Sequence, residues 1–220
     1  MKKIILVSLL SVALMSVVDG FINPEYGIKS MIKIVLFLMV PLISAKFGAT
    51  QNMEALLKPA GKKELAISFG LGGTVYLVII GVYMFLSPYI DLQGIKLALK
   101  EDLGVTRENF ILVALYISFI NSLLEEFFFR GYLFLGLLKI TARLKAYTIS
   151  ALFFAIYHVA IIGSWFSPLI FVLAMTGLFV GGVIFNFLNE KNRNIINSWV
   201  VHMMANLAIN TVGLIMFDFL

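Results

Sequence analysis

Residues 110–138 read FILVALYISFINSLLEEFFFRGYLFLGLL, and Glu125, Glu126 and Arg130 are the charged residues in that run. A stretch this long and apolar predicts a helix that crosses a hydrocarbon core of about 30 Å, which takes roughly 20 helical residues. An ionisable side chain at that depth costs about 2.5–3.5 kcal/mol on insertion scales, so it faces a protein interior and has work there. The segment decides the fold class and also marks the first place to look for function.

The rest of the chain has the same character. Of 220 residues, 61% are hydrophobic and 13% charged, against roughly 25% charged in an average soluble domain. Apolar runs predict seven spans, near 4–18, 30–45, 66–88, 110–138, 148–163, 168–188 and 195–217, with an eighth left open. The fold class is therefore all-α, a polytopic transmembrane helical bundle. We treat residues 1–220 as one integral membrane domain: residues 1–109 carry no motif, and 110–217 form the core expected to carry any catalytic residues. The chain has no cysteine, which excludes disulfides, thiolate nucleophiles and cysteine-ligated metals.

The net charge of +5 needs no nucleic-acid partner, because basic loops beside membrane spans follow from the positive-inside rule. Counted from a cytoplasmic N-terminus, the inside holds Lys2, Lys3, Lys46, Lys58, Lys62, Lys63, Lys139, Arg143, Lys145, Lys191 and Arg193. The outside holds Lys29, Lys33, Lys96, Lys100 and Arg107. This bias gives a multi-pass protein of the cell membrane with its N-terminus in the cytoplasm. Residues 1–18 also suit a signal peptide, but no small-residue cleavage site follows, and a retained span is the better reading. The loop from Tyr89 to Asn109 reads as an interfacial segment with Thr106 as the N-cap of the next helix. Gly177 and Gly181 form a G-x-x-x-G pair suited to close helix packing, and the two Trp residues and most Tyr residues fall near span ends.

The buried polar residues divide by geometry. Successive helical residues point about 100° apart, so Glu125 and Glu126 face different neighbours. Glu126 and Arg130 lie one turn apart and neutralise each other. Glu125 is left without a basic partner on its own helix, sharing its face with Ser118, Asn121 and Tyr132. The two histidines of the chain, His158 and His202, both fall inside spans. His202 stacks with Asn206 on one face, in line with Ser198 and Asn210. Either histidine alone suits packing as well as function. Three spans that each carry a buried polar group are satisfied together by one shared cavity, which tilted spans would open toward the cytoplasmic half of the bilayer.

A carboxylate beside an imidazole can take a proton from water and pass it to a leaving amine. A second imidazole and a carboxamide can donate to the oxyanion of the tetrahedral intermediate. The sequence has no H-E-x-x-H and no G-x-S-x-G motif. The competing chemistry is a divalent metal held by the same Glu and His residues, with water as a further ligand.

Glu125-Glu126 with Arg130 resembles the E-E-x-x-x-R motif of the CPBP family. Phe154 to His158 resembles its F-x-x-x-H motif, and His202 to Asn206 its H-x-x-x-N motif. This family comprises type II CAAX prenyl endopeptidases and bacteriocin-processing or self-immunity (Abi) membrane proteins. The three motifs occur in order across residues 110–217. The resemblance implies a glutamate-dependent intramembrane endopeptidase in which Glu125 and His158 activate water. His202 and Asn206 would form the oxyanion hole, and Glu126 and Arg130 would order the site. It implies no cofactor, with a divalent metal as the alternative, and a membrane-associated peptide or protein as substrate. A prenylated tail is not implied, because many prokaryotic members meet no prenylated protein. The competing function is a non-catalytic immunity or peptide-binding membrane protein; a proton-coupled transporter lacks the repeated halves or paired broken helices expected of it. Oligomeric state is not encoded in these features.

Overall fold

The computed structural model describes residues 1–47, 54–58 and 60–220. Among them, seven helices are long and apolar enough to cross a membrane: α1 (Lys2–Ile22), α2 (Tyr26–Lys46), α3 (Lys62–Tyr89), α5 (Phe110–Leu138), α6 (Arg143–Ile162), α7 (Pro168–Lys191) and α8 (Ile196–Met216). A shorter helix, α4 (Leu92–Leu103), bridges α3 and α5. The chain is an all-α polytopic membrane protein.

Local chemistry sets the ends of these helices. Asp91 caps α4 by accepting from the Gly94 amide at 2.9 Å, and Gly104 closes it at φ +62°, a left-handed conformation that glycine adopts without strain. Pro168 occupies the first turn of α7, where its missing N–H costs nothing. Thr106 is not the cap of α5: that helix starts after Asn109, whose side-chain oxygen accepts from the Thr106 amide at 2.8 Å.

The bundle is inside-out in polarity. Leu77, Met84, Phe85, Leu112 and Leu169 are exposed, while Lys33, Glu125, Glu126, Arg130 and Asn186 are buried. Lipid is as apolar as leucine, so close packing and interhelical hydrogen bonds hold such a bundle together. α8 lies along α3, and α6 along α7. On the first seam a Cβ at Gly72 would stand 2.8 Å from Met204 Cγ. On the second, a Cβ at Gly182 would stand 3.0 Å from Ala151 Cα. The expected packing pair, Gly177 and Gly181, has open space where a Cβ would go. The helix turns Gly182 to its neighbour instead, so the close contact sits one residue beyond the motif.

One further expectation changes. Lys29 and Lys33 were counted with an outside loop, but α2 begins at Tyr26 and carries both inside the bundle, where they are 4% and 6% exposed. The outside count then keeps Lys96, Lys100 and Arg107, and the charge asymmetry becomes steeper. Trp199, near the start of α8 as expected, donates its indole N–H at 3.0 Å to the Phe119 carbonyl and to Ser122 Oγ, and so ties α8 to α5.

Candidate active site

The motif-bearing helix α5 is not a regular α-helix. Its turn Ser122–Glu125 is α-helical, but it is flanked by π-helical stretches at Tyr116–Asn121 and Glu126–Phe134. Such widened turns rotate the residues after them and are frequent at functional sites. A third π-helical stretch, Val35–Met39, lies in α2 opposite. It delivers Phe37, fully buried, into a stack on Phe128 with ring centroids 4.2 Å apart. The Phe37 ring also meets Phe129 and Tyr157 edge-on. This aromatic cluster fixes α2 against α5 and α6 next to the polar residues.

Glu125 has its carboxylate divided between two sets of partners. Oε1 accepts from the Lys33 ammonium at 2.6 Å and from Asn121 Nδ2 at 2.9 Å. Lys33 also donates to Asn121 Oδ1 at 2.5 Å, and its Nζ stands 4.8 Å from the centre of the Tyr157 ring. Oε2 faces both histidines: His202 Nε2 lies 3.7 Å away and His158 Nε2 3.9 Å away. The partner expected for Glu125 was His158. Its direct partner is instead Lys33 of α2, and the histidines stand one step further off.

The other ring nitrogens define how the histidines present themselves. His158 Nδ1 lies 2.7 Å from the Phe154 carbonyl, and His202 Nδ1 lies 2.9 Å from Glu126 Oε1. A carbonyl or carboxylate oxygen accepts, so each Nδ1 carries a proton and each ring turns Nε2 toward Glu125. Glu125 Oε2 and the two Nε2 atoms therefore face one another. Distances of 3.7 and 3.9 Å exceed a direct hydrogen bond and suit a water molecule between these groups.

Glu126 and Arg130 are fully buried, with Arg130 Nη1 3.2 Å from Glu126 Oε1. The contact is an ion pair without hydrogen-bond geometry: none of the three Arg130 guanidinium nitrogens has a hydrogen-bond acceptor among the described residues. The guanidinium lies instead over the rings of Phe154, at 4.0 Å, and Phe185, at 4.8 Å. Phe185 also stacks on His202 at 5.1 Å. Glu126 thus joins Arg130 to His202 and orients that ring.

Asn206, one turn beyond His202 on α8, contacts the backbone of α5. Its Nδ2 donates to the Ile117 carbonyl at 3.1 Å, one of the carbonyls loosened by the π-helical stretch. Asn210 Nδ2 similarly reaches the Ala114 carbonyl at 3.1 Å and Ser118 Oγ at 3.0 Å. The polar stripe on α8 therefore zips that helix to α5 below the histidines, while Ser198 exchanges hydrogen bonds with Asn189 of α7. Glu125, Glu126, Arg130, His158 and His202 come together; Asn206 touches the neighbouring backbone.

Sequence reasoning missed Lys33. It lies 92 positions from Glu125, and a lysine near a span end ordinarily reads as interfacial. The available signal was the four-residue spacing of Lys29, Lys33 and Phe37, which places all three on one face of α2.

A family profile described as "Type II CAAX prenyl endopeptidase Rce1-like" matches residues 107–208, a range that contains Glu125, Glu126, Arg130, His158, His202 and Asn206. No curated protein and no solved structure matches the chain significantly.

Proposed function

We infer from residues 107–208, which belong to the type II CAAX prenyl endopeptidase family, that this multi-pass membrane protein is an intramembrane endopeptidase using a glutamate-activated water. The observation that carries the mechanism is the convergence of Glu125 Oε2 with the Nε2 atoms of His158 and His202 at 3.9 and 3.7 Å. A water in that space donates one proton toward Glu125 and the other toward an imidazole, and keeps its oxygen lone pair for the scissile carbonyl. Attack forms the C–O bond as the carboxylate takes the proton. Collapse breaks the C–N bond, and Glu125 returns the proton to the leaving amine.

The oxyanion needs donors. His202 Nε2 serves when the ring carries two protons, a state paired with the Glu126 carboxylate at Nδ1. Asn206 has two amide hydrogens, one of them given to the Ile117 carbonyl; the other is its contribution to the oxyanion hole. Glu126 and Arg130 order the site through the His202 ring.

A divalent cation fits these residues poorly. Among the described residues no three His, Asp or Glu side chains form a group able to hold one. The Lys33 ammonium also stands 2.6 Å from the candidate carboxylate ligand and already supplies the positive charge. We therefore assign no cofactor. The substrate class is a peptide or protein tail held at the membrane of the cell, and the N-terminus is assigned to the cytoplasm from the lysine and arginine asymmetry.

Purified protein in lipid vesicles, given a membrane-anchored reporter peptide, tests this reading. Glu125→Ala and His158→Ala are each expected to abolish cleavage while still inserting. Near wild-type cleavage by both variants would defeat it, and binding without cleavage by the wild type would favour a peptide-binding or immunity protein.

A further inference from the structure

We propose that Lys33 is a positioning residue of the reaction, the fixed cation that holds Glu125 charged and turned toward the histidine pair; this rests on the glutamate mechanism above. Among the buried charged side chains at the site, Lys33, Glu125, Glu126 and Arg130 form two pairs. Arg130 is 3.2 Å from Glu126, and Lys33 is 2.6 Å from Glu125. The first pair is local, one helical turn within α5. The second joins α2 to α5 across the bundle, so the motif-free N-terminal half completes the charge balance of the catalytic helix.

The geometry gives Lys33 a task beyond neutralisation. Its ammonium and Asn121 Nδ2 both bind Oε1 of Glu125, and this leaves Oε2 as the oxygen presented to His158 and His202. Lys33 also donates to Asn121 Oδ1, so the three side chains form a closed ring of contacts that fixes the carboxylate plane. The ammonium is held in turn by the ring faces of Tyr157 and Phe37, at 4.8 and 5.4 Å, a favourable place for a desolvated cation. A lysine 6% exposed at membrane depth is costly and is retained only with a partner and a function.

The test uses the whole protein in lipid vesicles with the same reporter peptide. Lys33→Met removes the charge at similar size and is expected to lower kcat roughly 100-fold, the scale of a misplaced catalytic group. KM should be unchanged, because Lys33 touches Glu125 rather than the substrate. Lys33→Arg, which keeps the charge with a different shape, should recover part of kcat. Wild-type kcat in Lys33→Met, beside an inactive Glu125→Gln, would overturn the role of Lys33 and leave the glutamate mechanism standing. An active Glu125→Gln would overturn the mechanism itself. Should Lys33→Met fail to fold, the infrared difference between wild type and Glu125→Gln decides: an ionised carboxylate band supports the pairing, and a protonated carboxyl band refutes it.

Discussion

The ion pair between Glu126 and Arg130 can be tested by a double-mutant cycle, because both members are fully buried and lie on the same helix. At 3.2 Å two unit charges attract by about 5 kcal/mol at an effective dielectric of roughly 20. Much of that offsets the cost of taking both out of the surrounding polar phase. Removing one partner strands the other, which costs about 3–5 kcal/mol. Arg130→Met and Glu126→Gln should therefore each destabilise by that amount, with Arg130→Met at the upper end because it also loses the ring contacts with Phe154 and Phe185. The double variant strands no charge, and methionine fills the space between the rings. Its cost should fall to about 1–2 kcal/mol, a coupling of at least about 4 kcal/mol relative to the sum of the singles. Thermal unfolding and SDS titration in one detergent supply the four stabilities. Additivity of the two single changes within about 0.5 kcal/mol would show that the charges do not interact and refute the reasoning.

Two further outcomes follow from packing and from the donor set. Gly182→Leu should destabilise the α6–α7 seam by about 1–3 kcal/mol through overpacking against Ala151, whereas Gly177→Leu, which meets nothing within 4 Å, should leave the melting temperature unchanged; equal effects would place the seam elsewhere. Cleavage should survive exhaustive chelation, with elemental analysis finding less than stoichiometric metal in active protein; activity that disappears with the metal and returns with zinc would contradict Lys33 as the resident cation.

The spans were legible because lipid imposes long apolar runs, and the helix quoted first, residues 110–138, has the bounds Phe110–Leu138 that its hydropathy predicts. The grouping of Glu125 with His158 and His202 was legible from cost: buried polar groups on three spans need a common cavity. What the sequence concealed depends on backbone detail and on distant pairing. The π-helical stretches around Ser122–Glu125 have no simple hydropathy signature, yet they decide which face each carboxylate presents. Lys33 reads as an interfacial cation until the fold supplies Glu125. Gly177 and Gly181 satisfy a packing motif that the rotation of α7 leaves unused. Asn206 lies on the face expected of it, one turn from His202, and its amide donates to the Ile117 carbonyl in the opened turn of α5.

The central claim is that Glu125 activates the water that cuts the peptide. The most direct measurement follows a membrane-anchored reporter peptide with purified wild type and Glu125→Gln side by side, with products read by mass spectrometry and binding by co-reconstitution. The account predicts that the wild type yields two fragments with solvent oxygen in the new carboxylate, while Glu125→Gln binds the peptide and leaves it whole. Cleavage by Glu125→Gln at the wild-type rate would contradict it.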